Sequence, residues 1–188
     1  MADLSERLVI KPGFTSDDVD FVSMQWGWIL QRHRIPEGGA YVDTWVTLDR
    51  KTEIHQVDDQ PIGTRYFTLR GPGTAEVARH IRQDCDLWLI DEALDALRTA
   101  DTRDEKLRLV YAAALSASEQ DAEERVVPEF RNVMRDPDAG VRQSVVIATG
   151  YLPHPGLVEL VRELRDRDPV EHVRRNAAIL LDGLSEGN

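Results

Sequence analysis

The chain of 188 residues has a single cysteine, Cys85. An internal disulfide needs two cysteines and a structural zinc site of the ordinary type needs several, so both are excluded. The five histidines do not pair at i and i+4, and none lies near the cysteine in ligand spacing. We therefore expect no metal and no cofactor, and a protein of a reducing, cytoplasmic compartment.

Long apolar runs and recognisable catalytic motifs are also absent. No stretch approaches the roughly 18 apolar residues of a membrane-spanning helix, and residues 1–7 carry charges where a signal peptide needs an apolar run. The patterns G-x-x-x-x-G-K-[ST], G-x-G-x-x-G and G-x-S-x-G do not occur. We expect a soluble protein without membrane contact, in which no catalytic residue can be identified.

Positive charge is in deficit, because 23 lysine and arginine residues face 34 aspartate and glutamate residues, a net charge of -11. Proteins hold a phosphate backbone mainly through lysine and arginine, so this balance disfavours nucleic acid as a partner. An acidic surface instead suits a basic protein.

The patterning of the chain changes near Pro72, which predicts two domains, residues 1–72 and 73–188. In the first, an N-capped apolar pattern predicts a helix from about Ser16 to His33. Runs rich in β-branched and aromatic residues then predict a small antiparallel sheet of three strands, at 41–48, 52–57 and 64–69. The region after Pro72 is patterned almost throughout as helices.

A repeat dominates the C-terminal half. The pattern D-P-x-x-x-V-R occurs at 136–142 and again 32 residues later at 168–174, each time before an apolar, alanine-containing segment. A weaker copy, aligned 34 residues upstream, has Thr102 in place of the aspartate. Helices predicted at 122–135 and 155–167 separate the copies, so each unit is a helix, a turn and a second helix.

This pattern resembles the HEAT repeat, including the short subclass found in bilin lyases, over about residues 104–184. The resemblance implies a stack of helical hairpins, and the predicted fold class is therefore α+β, mostly helical, with a small sheet before the stack. It also implies that Asp136 with Arg142, and Asp168 with Arg174, are structural ladder residues that tie neighbouring hairpins together.

Stacked hairpins leave one surface, lined by the second helices, for a partner. Projecting the copies onto one another places Leu109, Gln143 and Arg175 in equivalent positions, with Ser116, Gly150 and Asp182 further along. We interpret the protein as a non-enzymatic binding scaffold or adaptor for a protein partner, with one sharper version, an inhibitor or antidote of a basic protein.

The alternative is a small-molecule sensor or an enzyme with a pocket between the sheet and the helical repeats. Its candidate residues are Asp43, Trp45, His55 and Tyr66. Strand alternation would place Asp43 and Trp45 on one face of the sheet.

Overall fold

The chain forms two compact units, Met1–Leu89 and Ile90–Asn188. Their structure is a computed structural model that describes residues 7–186. The first unit combines a sheet with helices and the second is helical. The predicted class, a small antiparallel sheet followed by a helical stack, is confirmed.

The sheet of the N-terminal unit is antiparallel throughout. Within the described residues it has five strands in the order β1-β5-β4-β3-β2. They are β1 (Leu8–Ile10), β2 (Ile29–Glu37), β3 (Ala40–Val46), β4 (Glu53–Asp59) and β5 (Thr64–Arg70). Strands β3, β4 and β5 correspond to the three predicted strands, and the two outer strands are additional, so the predicted count of three was too low.

The strand β2 was missed because the first helix was predicted to continue to His33. Helix α1 (Ser16–Gln25) begins with a capping box between Thr15 and Asp18. It ends where Gly27 adopts a left-handed φ of 65°. The N–H of Trp28 then donates to the carbonyl of Ser23 at 2.8 Å, which closes a Schellman motif and releases the chain into a strand.

The first unit extends beyond Pro72 because the chain returns to the sheet after α2 (Thr74–Asp84). The N–H of Trp88 donates to the carbonyl of Val9 at 2.8 Å, and the N–H of Lys11 donates to that of Asp86 at 2.9 Å. Residues 86–88 therefore cover the edge of β1. These bonds explain why the compact units divide after Leu89 rather than at the predicted Pro72.

The core of this unit lies between one face of the sheet and the helices α1 and α2. The strand register places Trp45, Ile54 and Leu69 side by side on that face. Buried apolar residues of the helices and of their flanking segments pack against them: Val19, Val22, Trp28, Val77, Ala78, Ile81 and Leu87. Each valine, isoleucine or leucine side chain among them stabilises the fold by about 1.5–3 kcal/mol through burial.

The free edge of the sheet belongs to β2, which is irregular. Its register against β3 shifts on both sides of Arg32. Arg34 has a φ of 46°, and its N–H donates to Asp43 Oδ1 at 2.7 Å. A bulged edge carrying arginines and Pro36 is a poor template for another strand, so this edge resists unwanted pairing.

The C-terminal unit is a stack of helical hairpins. Its helices are α3 (Ile90–Thr99), α4 (Arg103–Ser116), α5 (Glu119–Asp121), α6 (Val127–Val133), α7 (Ala139–Tyr151), α8 (Pro155–Arg167) and α9 (Glu171–Glu186). A π-helical turn, Ala122–Val126, joins α5 to α6 in one helical segment. In the described part of this unit the hairpins number three: α3 with α4, 119–133 with α7, and α8 with α9. The second helices α4, α7 and α9 pack side by side.

We expect Gly71→Ala to destabilise the N-terminal unit much more than Gly63→Ala. Both glycines have a positive φ, 114° and 60°, but only at Gly71 would a Cβ collide with backbone, that of Lys51 and Thr52. Strain alone costs about 1–2 kcal/mol, whereas strain with the collision should cost about 3 kcal/mol or more. Urea unfolding followed by tryptophan fluorescence measures both, and equal losses would contradict a close approach at Gly71.

Candidate protein-binding surface

A buried ion pair joins the second and third hairpins. Asp168, in the turn before α9, is 5% exposed. Arg142 of α7 donates from Nε to Asp168 Oδ2 at 2.7 Å and from Nη2 to Oδ1 at 3.0 Å. The N–H of Val170 donates to the same Oδ1 at 2.9 Å. This bidentate geometry is the strongest form of the arginine–carboxylate contact.

The same arginine also binds the turn of its own hairpin. Its Nη1 donates to the backbone carbonyls of Asp136 at 2.9 Å and Pro137 at 3.0 Å. Arg174 repeats this contact with the carbonyl of Asp168 at 2.6 Å. The resemblance paired Asp136 with Arg142 and Asp168 with Arg174. In the structure the arginine of each pair binds the backbone carbonyl of its aspartate. The carboxylate of that aspartate instead binds a cationic side chain of the preceding hairpin.

Lys106 is the corresponding cation between the first and second hairpins, since its Nζ lies 2.6 Å from Asp136 Oδ2. Lys106, Arg142 and Arg174 are each the fourth residue of their helix. The first two are 36 residues apart, whereas the projection made from the sequence used 34. That projection was therefore displaced by two residues in the first copy.

Aligning the first two copies with a spacing of 36 residues changes two of the predicted surface residues. Leu107, rather than Leu109, is equivalent to Gln143 and Arg175. Leu109 is 8% exposed and belongs to the core, so it offers no contact surface. Ser116 is likewise not at the predicted position, because Ala114 is the residue equivalent to Gly150 and Asp182.

The ladder carboxylates are held ionised. Burial alone would raise the pKa of Asp168, but the hydrogen bonds from Arg142 and from the N–H of Val170, together with the charges of Arg142 and Arg174, lower it below its usual value. The same competition, with Lys106 and the N–H of Asp138 as donors, lowers the pKa of Asp136. Both groups therefore act as anions that fix the turns.

One face of the second helices forms the candidate surface, which we name the second-helix stripe. Its positions follow i, i+4 and i+7 spacing, which aligns side chains along a helix. The stripe consists of Gln143, Ile147 and Gly150 on α7 and Arg175, Ile179 and Asp182 on α9. On α4 the equivalent Tyr111 and Ala114 are buried, so the exposed stripe lies on the second and third hairpins.

Four of the six residues predicted for this surface lie in the stripe: Gln143, Gly150, Arg175 and Asp182. Ile147 and Ile179 were not placed on this surface from the sequence. Ile179 is 63% exposed. Its spacing of four residues from Arg175 is the signal that could have found it, once Arg175 was placed on the surface.

The residues of the alternative pocket are not brought together on one face. The register pairs Trp45 with Ile54 and Thr44 with His55, which puts His55 opposite to Trp45. Tyr66 pairs with Val57 and so shares the face of His55. Asp43 does lie on the face of Trp45, where it binds the N–H of Arg34 and lies 2.8 Å from His33 Nδ1.

Other reactive or binding chemistry is scarce in residues 7–186. No three histidine, cysteine, aspartate or glutamate side chains of that range converge as metal ligands do. Burial, and then the charge of Asp84, raise the pKa of the Cys85 thiol to about 12, which keeps it protonated and unreactive at neutral pH. No helix in the same range combines the length and the apolar character needed to cross a bilayer.

Serial stacking of helical hairpins with a charged ladder between their turns defines an α-solenoid. Residues 90–182 match the family model of HEAT repeats. The chain is thus a HEAT-repeat protein through its C-terminal unit, while the N-terminal unit lies outside the match. HEAT repeats generally act as scaffolds for protein–protein interaction. No curated protein and no solved structure matches the chain significantly.

We expect Asp168→Asn to lower the free energy of unfolding by about 3–5 kcal/mol, because it leaves the buried charge of Arg142 without its carboxylate. Lys106→Met should cost less, since the Lys106 side chain is 29% exposed and binds through one atom. Urea unfolding provides both values. Asp166→Asn, in an exposed pair with Arg165, is the control and should change nothing measurable. A loss of similar size in all three variants would contradict the ladder.

We also expect stability to fall in acid. Asp136 and Asp168 have a lower pKa folded than unfolded, so protons bind the unfolded chain more tightly. Their contribution is complete above the unfolded pKa of about 3.9 and is lost as pH falls through the lower folded values. Melting temperatures between about pH 2.5 and 6 should drop less steeply in the Asp136→Asn/Asp168→Asn double variant. An unchanged slope would refute this assignment.

Proposed function

We propose that this protein is a non-enzymatic scaffold that binds a basic protein through the second-helix stripe. The observation that carries this proposal is Ile179, an isoleucine that is 63% exposed at the centre of a helix face. Arg175 lies one turn before it and Asp182 one turn after it. Among the described residues, neither of these two charged side chains has a hydrogen bond or an ion pair.

This arrangement supports a protein partner for energetic reasons. Interface energy concentrates in a few central residues that lose their water, surrounded by polar groups that give specificity. Ile147 and Ile179 supply the apolar centre, and the exposed charged side chains of Arg175 and Asp182 flank it. A Cβ at Gly150 would lie 3.4 Å from Leu180 Cδ1, within ordinary van der Waals contact, so the two helices pack directly against each other here and present one continuous strip.

The charge distribution supports a basic partner. Residues 90–188 contain 20 acidic and 13 basic residues, a net charge of -7. Most of this excess lies on the first helices of the first two hairpins, where 8 acidic residues face 3 basic ones across 90–99 and 119–133. Such a field accelerates the encounter with a cationic protein and weakens with salt.

A sharper form of the proposal is an inhibitor or antidote that covers a basic enzyme or toxin. Small acidic proteins suit this role because their charge raises the association rate while an apolar strip slows dissociation. The stripe and the acidic first helices provide these two elements.

The test is affinity capture from native cell extract with the tagged wild-type chain, Ile179→Ala and Leu89→Ala. Both substituted residues are exposed apolar side chains, 63% and 57% exposed, so neither change should disturb folding. We expect one basic protein in stoichiometric amount with the wild type and Leu89→Ala. Its affinity should fall about 30-fold with Ile179→Ala, the loss of a hot-spot residue worth about 2 kcal/mol.

Raising the salt concentration should release the partner progressively if the charge excess attracts it. Equal capture by Ile179→Ala and Leu89→Ala would exclude the stripe as the binding surface. Recovery of no protein at all would remove the scaffold proposal.

A further inference from the structure

A pocket opens in the N-terminal unit between the end of α1, the turn that joins β3 to β4, and the start of α2. It has a volume of about 260 Å³. Pockets for drug-sized ligands occupy about 300–1,000 Å³, so this one suits a group the size of an amino-acid side chain. The lining residues that matter here are Trp26, Trp28, Leu48, Asp49, Glu76 and His80.

Aromatic rings form much of its wall. Trp26 and His80 are stacked with their centroids 3.4 Å apart and their planes 9° apart. The indole N–H of Trp26 donates to Asp84 Oδ2 at 2.6 Å, which fixes the ring. Trp28 is buried in the core beneath, packed among apolar side chains. The aromatic wall is therefore preorganised before any ligand arrives.

His80 does not place a positive charge in this wall. Burial first, and then the charge of Arg79, lower its pKa. Arg79 Nη2 lies 3.0 Å from His80 Nε2. An arginine can only donate, so this nitrogen accepts and the ring is neutral.

Carboxylates supply the charge of the pocket. Asp49 accepts hydrogen bonds from Thr47 Oγ1 at 2.6 Å and from the N–H of Lys51 at 3.1 Å. Glu76 is exposed in the first turn of α2 and, within the described residues, has no hydrogen bond or ion pair. The ammonium of Lys51 approaches Asp49 only to 3.7 Å, and neither Lys51 nor Arg79 lines the pocket.

We infer that this pocket binds an organic cation, a guanidinium or alkylammonium group. A cation over tryptophan is attracted to the face of the ring, and an uncommitted carboxylate adds a direct ion pair. Leu48 and Val77 provide apolar contact for the alkyl chain of such a group. The start of α2 contributes only about half a positive charge, less than the full negative charge of Glu76, so an anion is disfavoured.

The test uses N-acetyl-arginine amide and its neutral analogue N-acetyl-citrulline amide, which has nearly the same shape without the charge. Binding is followed by the indole N–H signals in nuclear magnetic resonance, with Trp26→Phe assigning one of them. We expect the signals of Trp26 and Trp28 to shift with arginine, with a dissociation constant on the order of 1 mM, and not with citrulline. Trp45, inside the core, serves as the internal reference.

Glu76→Gln should weaken arginine binding at least about fivefold, because it removes the uncommitted charge and keeps the shape. Glu171→Gln is the matched control, since Glu171 is also an exposed glutamate in the first turn of a helix, α9, in the other unit. Equal shifts with citrulline, unchanged affinity in Glu76→Gln, or no shift at tens of millimolar arginine amide would each overturn the inference.

Such a cation could belong to a side chain of a protein or to a free amine. A binding comparison with agmatine distinguishes the two. Tighter binding of N-acetyl-arginine amide than of agmatine assigns the pocket to a side chain of a protein, whereas tighter binding of agmatine assigns it to a free amine. The inference does not depend on the second-helix stripe. Failure of the cation experiment leaves the Ile179→Ala comparison intact, and the reverse also holds.

Discussion

The order of the hairpin stack depends on one buried contact, the bidentate pair of Arg142 and Asp168. Apolar faces between helices are non-directional and would tolerate sliding, because burial depends mainly on area. The guanidinium instead satisfies carbonyls of one turn and the carboxylate of the next at fixed positions. It thus sets the register that places α7 beside α9 and brings Ile147 and Ile179 to the same side.

The repeat could be read from the sequence because its signal lies in the turns. The pattern D-P-x-x-x-V-R marks two of them, and the helix predicted at 155–167 has the observed bounds. The first copy was misaligned because Lys106 replaces the ladder arginine and the spacing is longer. Which face of α9 is exposed to solvent could not be predicted from the sequence, since that depends on how neighbouring hairpins pack.

The N-terminal unit was harder to predict for reasons of length and local geometry. Leu8–Ile10 is too short for strand alternation to be visible, and its partner β5 is more than 50 residues away in sequence. Gly27 ended a helix whose apolar pattern continued into β2. The pocket near Trp26 combines an exposed helix start, a turn and a stacked histidine, and only the tertiary fold brings these parts together.

The four hydrogen bonds of Arg142 have a consequence for how the stack comes apart. The N–H groups of Arg142 bind the turns before α7 and before α9, so these turns cannot separate without leaving a buried charge unpaired. In a repeat array, local opening normally starts at an end and spreads inward one unit at a time. Here unfolding that begins at α9 must break the Arg142–Asp168 ion pair before it reaches α7. The last two hairpins therefore behave as one cooperative block.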